Sequence, residues 1–156
     1  MPLAIAAAIV IVVAACLFFF LGRGKSGTAT MTPISAPLDP YASSLVISNL
    51  AMSQSSNLAG GNVTYIDGHI VNSGNKTVTA ISAQVLFRDP AHEVAQNETQ
   101  PMKFIRMREP YIDVEPVSAA PLKPGEAQDF RLIFDTLAQD WDGAYPEIRI
   151  VRVQTQ

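Results

Sequence analysis

Hydrophobic residues are arranged differently at the start of the chain and in the rest of it. From Leu3 to Leu21 the chain is an unbroken apolar run without a charged residue or a proline. As a helix rising about 1.5 Å per residue, this run spans roughly 28 Å, close to the roughly 30 Å hydrocarbon core of a bilayer. A helix can cross there as a single segment because its backbone groups are hydrogen-bonded internally. The pattern therefore predicts a transmembrane anchor over residues 1–22 that contacts the lipid bilayer.

Two other interpretations of this run remain open. A cleaved signal peptide would need a positively charged start and a shorter apolar core, but no Lys or Arg precedes Leu3. The segment VAAC, which ends at Cys16, resembles a bacterial lipobox. However, Cys16 is followed by five apolar residues, where a lipid-modified cysteine is normally followed by a polar tether. We favour the anchor, in which Cys16 is a small apolar residue of the helix.

From residue 44 onward, short segments of alternating apolar and polar residues are separated by turn residues. This alternation predicts strands at 45–52, 63–71, 77–87, 94–100, 102–107, 111–114, 127–134 and 147–153. Residues 136–145 are predicted to be irregular or to form a single helical turn. Strands at this spacing, without a convincing helix, predict an all-β protein built as an antiparallel β-sandwich. Its predicted core comprises Ile66, Ile70, Ile81, Val85, Phe87, Phe104, Phe130, Leu132, Phe134, Ile148 and Ile150.

Residues 23–43, between the anchor and the first predicted strand, are rich in Gly, Ser, Thr and Pro. Such a composition is typical of a flexible or extended linker with little to bury. The predicted organisation is therefore an anchor at 1–22, a linker at 23–43 and a β-sandwich domain at 44–156.

Composition and charge exclude several classes of function. The net charge of −3 offers no basic face, so we expect no nucleic-acid partner. Cys16 is the only cysteine, which excludes an intrachain disulfide and zinc sites built on cysteine pairs. The chain contains neither a nucleophile elbow nor a phosphate-binding glycine motif. The sequence therefore predicts a protein that is not an enzyme and has no cofactor.

Three motifs follow one another in the predicted domain. They are YIDGHIVNSG at 65–74, a strand that ends with FRD at 87–89, and LKPGE at 122–126 before Phe130. Their order resembles that of FxLYD-type immunoglobulin-like domains and of related membrane-anchored bacterial domains of unknown function. The ending from Trp141 to Glu147 is similar to that of the membrane-anchored relatives. The sequence departs from the FxLYD pattern at FRD, where Tyr-Asp is expected, and by a longer insertion at 91–120. The resemblance implies an extracytoplasmic immunoglobulin-like β-sandwich and no activity.

Asp67 and His69 lie two residues apart and share one face of a predicted strand. Such a pair could serve as an acid and a base or as half of a metal site. The other histidine, His92, lies in a distant predicted loop, so further ligands are lacking. We favour a polar outer face of the sandwich.

Acidic residues are concentrated between Asp135 and Glu147. The segment DWDG from Asp140 to Gly143 could begin a calcium loop, since calcium prefers clustered carboxylates. The spacing of an EF-hand is absent, and aspartates in a turn commonly hydrogen-bond to backbone N–H groups. We favour the turn; Asp140, Asp142 and Glu147 are weak metal candidates.

Arg106, Arg108, Tyr111 and Trp141 are the candidates for contact with another protein, because Arg, Tyr and Trp are enriched among binding hot spots. Alternatively, Trp141 fills the open end of the sandwich. We expect a non-catalytic accessory or scaffold protein that contacts a membrane protein, as a subunit of a membrane complex. The alternative is an extracytoplasmic ligand- or calcium-binding module that uses the acidic region.

The orientation in the membrane is a separate expectation. Arg23 and Lys25 follow the apolar run, so the positive-inside rule places the domain in the cytoplasm, by a margin of about one charge. Long domains translocate largely regardless of so small a difference. The resemblance implies an extracytoplasmic module. We therefore expect a single-pass protein of the inner (cytoplasmic) membrane with a periplasmic or extracellular C-terminal domain.

Overall fold

The computed structural model describes residues 35–56 and 61–156. The predicted anchor and most of the predicted linker lie outside the described residues. Within the described residues there are eight strands and one short 3-10 helix. They are the 3-10 helix Ala42–Ser44 and strands β1 Leu45–Ser56, β2 Asn62–Asn72, β3 Val78–Arg88, β4 Val94–Pro101, β5 Lys103–Met107, β6 Asp113–Pro116, β7 Ala127–Phe134 and β8 Glu147–Thr155. Within these residues no helix is long and apolar enough to cross a membrane.

The strands form two antiparallel sheets. One has five strands in the order β1-β2-β7-β5-β6, and the other has three in the order β4-β3-β8. The chain changes sheets between β4 and β5, where the Met102 N–H donates to the Ile81 carbonyl over 2.9 Å. The prediction of an all-β antiparallel architecture is confirmed.

The core lies between the inner faces of the two sheets. Along β2, buried and partly exposed residues alternate strictly from Thr64 to Asn72, as period-2 patterning requires. The rings of Phe87 and Phe134 meet edge to face across the sheets, 5.0 Å between centroids. Ten of the eleven predicted core residues are buried. Ile148 is only partly buried, because it lies on the edge strand β8 beside an open groove.

Some predicted boundaries differ from the observed ones. β1 continues to Ser56, four residues beyond the prediction, because β2 pairs with it along that length. β6 begins at Asp113, which leaves Tyr111 in the preceding loop. Residues 136–145 contain turns and bends and no helical turn.

The fold begins before residue 44, inside the predicted linker range. The Ala36 N–H donates to Gln84 Oε1 over 2.9 Å, and the Asp39 N–H donates to the Ile150 carbonyl over 3.0 Å. The Asp39 carboxylate also accepts the Val153 N–H over 2.8 Å. These bonds attach residues 36–39 to the three-stranded sheet.

The motif around residue 72 has a structural role. Asn72 is fully buried at the end of β2, and its side-chain amide makes four hydrogen bonds. Nδ2 donates to the carbonyls of Lys76 and Leu122, and Oδ1 accepts from the Tyr41 hydroxyl and the Gly74 N–H. Asn72 thus ties three separate parts of the chain together, including the LKPGE turn.

Two glycines of the same motif are required for close packing. A Cβ on Gly68 would lie 2.5 Å from Cζ of Phe130 and 2.9 Å from Cδ2 of Leu50. A Cβ on Gly74 would overlap the ring and hydroxyl of Tyr41. Gly68, Asn72 and Gly74 of this motif therefore serve the fold.

Candidate contact surface

A network of charged residues covers the outer face of the five-stranded sheet. Tyr65 and Asp67 point outward from β2, and Arg131 lies beside them on β7. Arg131 donates from Nε and Nη2 to the two oxygens of Asp67, over 2.6 and 2.8 Å. Its guanidinium also lies 4.6 Å from the centroid of the Tyr65 ring. This two-bond pairing fixes both side chains in place.

Arg108 connects this network to the segment that follows β5. Its Nη2 donates to Oδ2 of Asp129 over 2.7 Å, and its Nη1 lies 3.8 Å from Oδ2 of Asp67. The other oxygen of Asp129 lies 2.9 Å from Nδ1 of His69. Hydrogen bonds from Arg108, and then from His69, lower the pKa of Asp129.

The structure places Asp67 and His69 on one outer face, as predicted, and gives each a partner on β7. Asp67 pairs with Arg131, and His69 pairs with Asp129, so Asp67 and His69 bind different residues of β7. His92 lies in the loop between β3 and β4, where its carbonyl accepts a hydrogen bond from Arg88. This arrangement fits the polar outer face that we favoured.

β5 and β6 form a hairpin that presents apolar side chains to solvent from its loop, residues 108–112, and from the last residue of β5. Tyr111 is 70% exposed and Met107 is 39% exposed. Arg106, at the end of β5, donates from Nε to Oδ2 of Asp113 over 2.8 Å and makes a second bond from Nη2. The hydrogen bond with Asp113 raises the pKa of Arg106 above its ordinary value.

Three of the four predicted contact residues therefore lie together, on the hairpin from Arg106 to Tyr111. Trp141 is elsewhere: it is partly buried and meets the Phe87 ring edge to face, 5.7 Å between centroids. Its indole Nε1 donates to the Ala144 carbonyl over 3.1 Å. Trp141 thus packs against the core beside Phe87. We define the hairpin surface as Arg106, Met107, Arg108 and Tyr111.

The acidic region between Asp135 and Glu147 is mostly turn structure. Asp142 Oδ1 accepts the Ala144 N–H over 2.8 Å, the Asx-type bond of a turn. Glu147 pairs with Arg149 at 3.0 Å and with Arg88 at 3.1 Å, and hydrogen bonds from Arg149 and then Arg88 lower the pKa of Glu147. Among residues 35–56 and 61–156, no three His, Cys, Asp or Glu side chains are grouped to hold a metal ion.

Asp129 and Arg131 belong to the network but were not predicted as site residues. Each lies about 60 residues from its partner on β2 in the sequence. The available signal was the alternation of Asp129 and Arg131 with buried Phe130 and Leu132, which marks the two charges as outward-facing. Pairing them with Asp67 and His69 also requires the register of β2 with β7, which the sequence alone does not supply.

The fold and the surface define a class of protein: an all-β domain of two antiparallel sheets that presents an exposed hairpin and an internally paired outer face. A family model described as "Protein of unknown function (DUF2393)" matches residues 4–148, and the chain belongs to this family. The match confirms the resemblance to domains of unknown function, without identifying the FxLYD type. No curated protein and no solved structure matches the chain.

Proposed function

We propose that the protein is a non-catalytic accessory or scaffold protein of a membrane complex, and that the hairpin surface contacts its protein partner. The observation that carries the proposal is the exposure of Tyr111, at 70%, and of Met107, at 39%, on one hairpin beside two arginines. Tyr and Arg are the residue types that most often dominate binding energy at protein interfaces, and Met is enriched there.

The ion pairs of the hairpin support the proposal further. Arg106 is held by Asp113, and Arg108 is held by Asp129, so both guanidinium groups have defined positions before a partner arrives. Side chains that are already ordered lose less conformational entropy on binding. Since both arginines are paired with carboxylates, the hairpin is not a simple basic patch, which favours a protein partner over an anionic lipid surface.

The proposal includes the anchor and the location of the domain. A helix from Leu3 to Leu21 holds the protein in the inner membrane, and the domain, of immunoglobulin-like and FxLYD-related type, lies outside the cytoplasm. The length of the apolar run and the order of the three motifs support this. Protease treatment of spheroplasts carrying a tag after Gln156 tests the location. Loss of the tag from intact spheroplasts is expected, and a tag protected until lysis would place the domain in the cytoplasm.

Co-purification tests the contact. The full-length protein, tagged after Gln156, is extracted from its own cells in mild detergent, and the retained proteins are quantified by mass spectrometry. Replacing Tyr111→Ala together with Met107→Ser should lower the recovery of one membrane protein at least about tenfold, the effect of roughly 1.4 kcal/mol of lost binding energy.

Tyr145 provides a matched control, since this tyrosine is also exposed, at 61%, and lies outside the hairpin. Tyr145→Ala should leave the recovery of the same membrane protein unchanged. Equal recovery from the hairpin variant and the wild type would exclude the hairpin surface as the contact.

A further inference from the structure

β8 lies at the edge of the three-stranded sheet, and its two halves differ in what covers their open side. Asp39 occupies the open edge at Ile150 and Val153. Its N–H donates to the Ile150 carbonyl, and its carboxylate accepts the Val153 N–H. Backbone groups of a strand alternate in direction, so the N–H and C=O of Ile148 point to the same open side as the Ile150 carbonyl. Among the described residues, Asp39 thus covers the later half of this edge, and no group binds the open-side N–H and C=O of Ile148. The Arg149 side chain beside it donates from Nη2 to the Ala36 carbonyl over 3.1 Å. Native proteins usually blunt such edges, because they pair with other chains.

The side of the sandwich beside Ile148 is also apolar. A groove of about 420 Å³ runs between β8 and β1, and its apolar lining includes Leu38, Leu45, Ile47 and Ile148. Leu38 is 55% exposed, and Ile148 is only partly buried although its side chain points toward the core. A strand added to the β8 edge would cover this opening and bury both side chains.

The charges beside Ile148 specify which strand fits. Glu147 and Arg149 flank Ile148 and point outward from the three-stranded sheet. If two copies of β8 pair antiparallel about a twofold axis at Ile148, Glu147 of each copy lies opposite Arg149 of the other. Opposite charges directly across a strand pair are favourable, and like charges are unfavourable. The sequence Glu-Ile-Arg at this edge is therefore complementary to itself.

We propose that β8 pairs with β8 of a second copy of this chain, about a twofold axis at Ile148, and joins the two three-stranded sheets into one. The two Ile148 residues exchange main-chain hydrogen bonds and cover the groove. Such an interface uses the same patch on both copies, as twofold dimers do. The dimer is independent of the hairpin surface, which lies on the other sheet.

Disulfide trapping tests the dimer in the full-length protein, in its membrane, with Cys16→Ala to remove the native thiol. Directly opposite residues of a hydrogen-bonded antiparallel pair have Cα atoms about 5.5 Å apart, which suits a disulfide. Ile148→Cys should give a covalent homodimer on mild oxidation. Gln154→Cys, on the same strand beyond the part covered by Asp39, should not. No dimer from Ile148→Cys, equal dimer from both positions, or linkage to a different protein would overturn the proposal.

A second pair of variants guards against loss of folding at Ile148. Glu147→Cys and Arg149→Cys, each with Cys16→Ala and co-expressed with different tags, should form a mixed disulfide between the tags. Absence of this product as well would overturn the pairing geometry.

Charge reversal then tests the complementarity. In the Ile148→Cys protein, Glu147→Arg should reduce the disulfide dimer severalfold, because arginines then face arginines. Adding Arg149→Glu restores opposite charges across the axis and should restore the dimer. Trp141 fluorescence checks that each variant is folded. Equal amounts of disulfide-linked dimer in all three proteins would contradict the proposal. So would a protein with both charge reversals that forms no more dimer than the one with Glu147→Arg alone.

Discussion

Arg108 donates from Nη2 to Oδ2 of Asp129 over 2.7 Å, and this ion pair joins the β5–β6 hairpin to the outer face of the five-stranded sheet. The two side chains are 51% and 40% exposed. Exposed pairs of this kind contribute about 0–1 kcal/mol to stability, so the pair is of little consequence for the fold as a whole. Its main effect is to hold the Arg108 guanidinium between Asp129 and Asp67 on the outer face of that sheet.

The lowered pKa of Asp129 predicts a dependence of stability on pH. A carboxylate whose pKa is lower in the folded state stabilises that state above its ordinary pKa, about 3.8, and this contribution is lost as pH falls through the folded value. Asp129→Asn should therefore be slightly less stable than the wild type at pH 5 to 7. The difference should shrink below about pH 4. Urea unfolding of the full-length protein in detergent, followed by fluorescence of the single tryptophan, measures it. A difference that stays constant down to the lowest pH would contradict the assigned role of the carboxylate.

Gly68→Ala should destabilise the domain by overpacking. The added methyl would lie 2.5 Å from Cζ of Phe130, and two rigid sheets leave little room for the ring to move. A loss of about 1–3 kcal/mol is expected in the same unfolding experiment.

The companion variant for Gly68→Ala is Phe130→Leu, which removes the atoms that clash. The double variant should lose less stability than the sum of the two single losses, because the two sites are in contact. Strict additivity would show that the clash does not account for the loss at Gly68.

Asn72→Ala should destabilise the domain more than Gly68→Ala does. It removes all four side-chain hydrogen bonds of Asn72, each of which contributes about 0.5–1.5 kcal/mol. The Leu122 carbonyl keeps its bond from the Val78 N–H, and the Tyr41 hydroxyl keeps its bonds with Lys76. We expect a total loss of roughly 3 kcal/mol. Asn75→Ala, at an exposed position of the adjacent loop, is the control and should change stability by less than about 0.5 kcal/mol. Similar losses in both variants would disprove the structural role assigned to Asn72.

Much of the fold follows from local sequence rules. β7 has the predicted bounds 127–134, because the alternation of Phe130, Leu132 and Phe134 with polar residues leaves no ambiguity. The outward direction of Asp67 and His69 follows from the same rule. Ile148 shows the limit of this rule. The alternation predicts the direction of the Ile148 side chain, but the burial of that side chain depends on which strand lies beside β8.

The contact surface was only partly predictable, for reasons of distance along the chain. Residue type alone indicated Arg106, Arg108 and Tyr111, and their proximity in sequence places them on one hairpin. Trp141 has the same residue type but packs on Phe87, a contact that depends on the packing of the two sheets. The partners that hold Arg108 come from β2 and β7, and only the assembled register brings them together.

Site-specific photocrosslinking tests the proposed contact most directly. A photoreactive amino acid replaces Tyr111 in the full-length protein, in its own membrane, and the matched substitution replaces Tyr145. We predict that position 111 crosslinks to one discrete membrane protein and that position 145 does not. No crosslink at position 111, or the same product with equal yield from both positions, would contradict the assignment of the hairpin as the partner-binding surface.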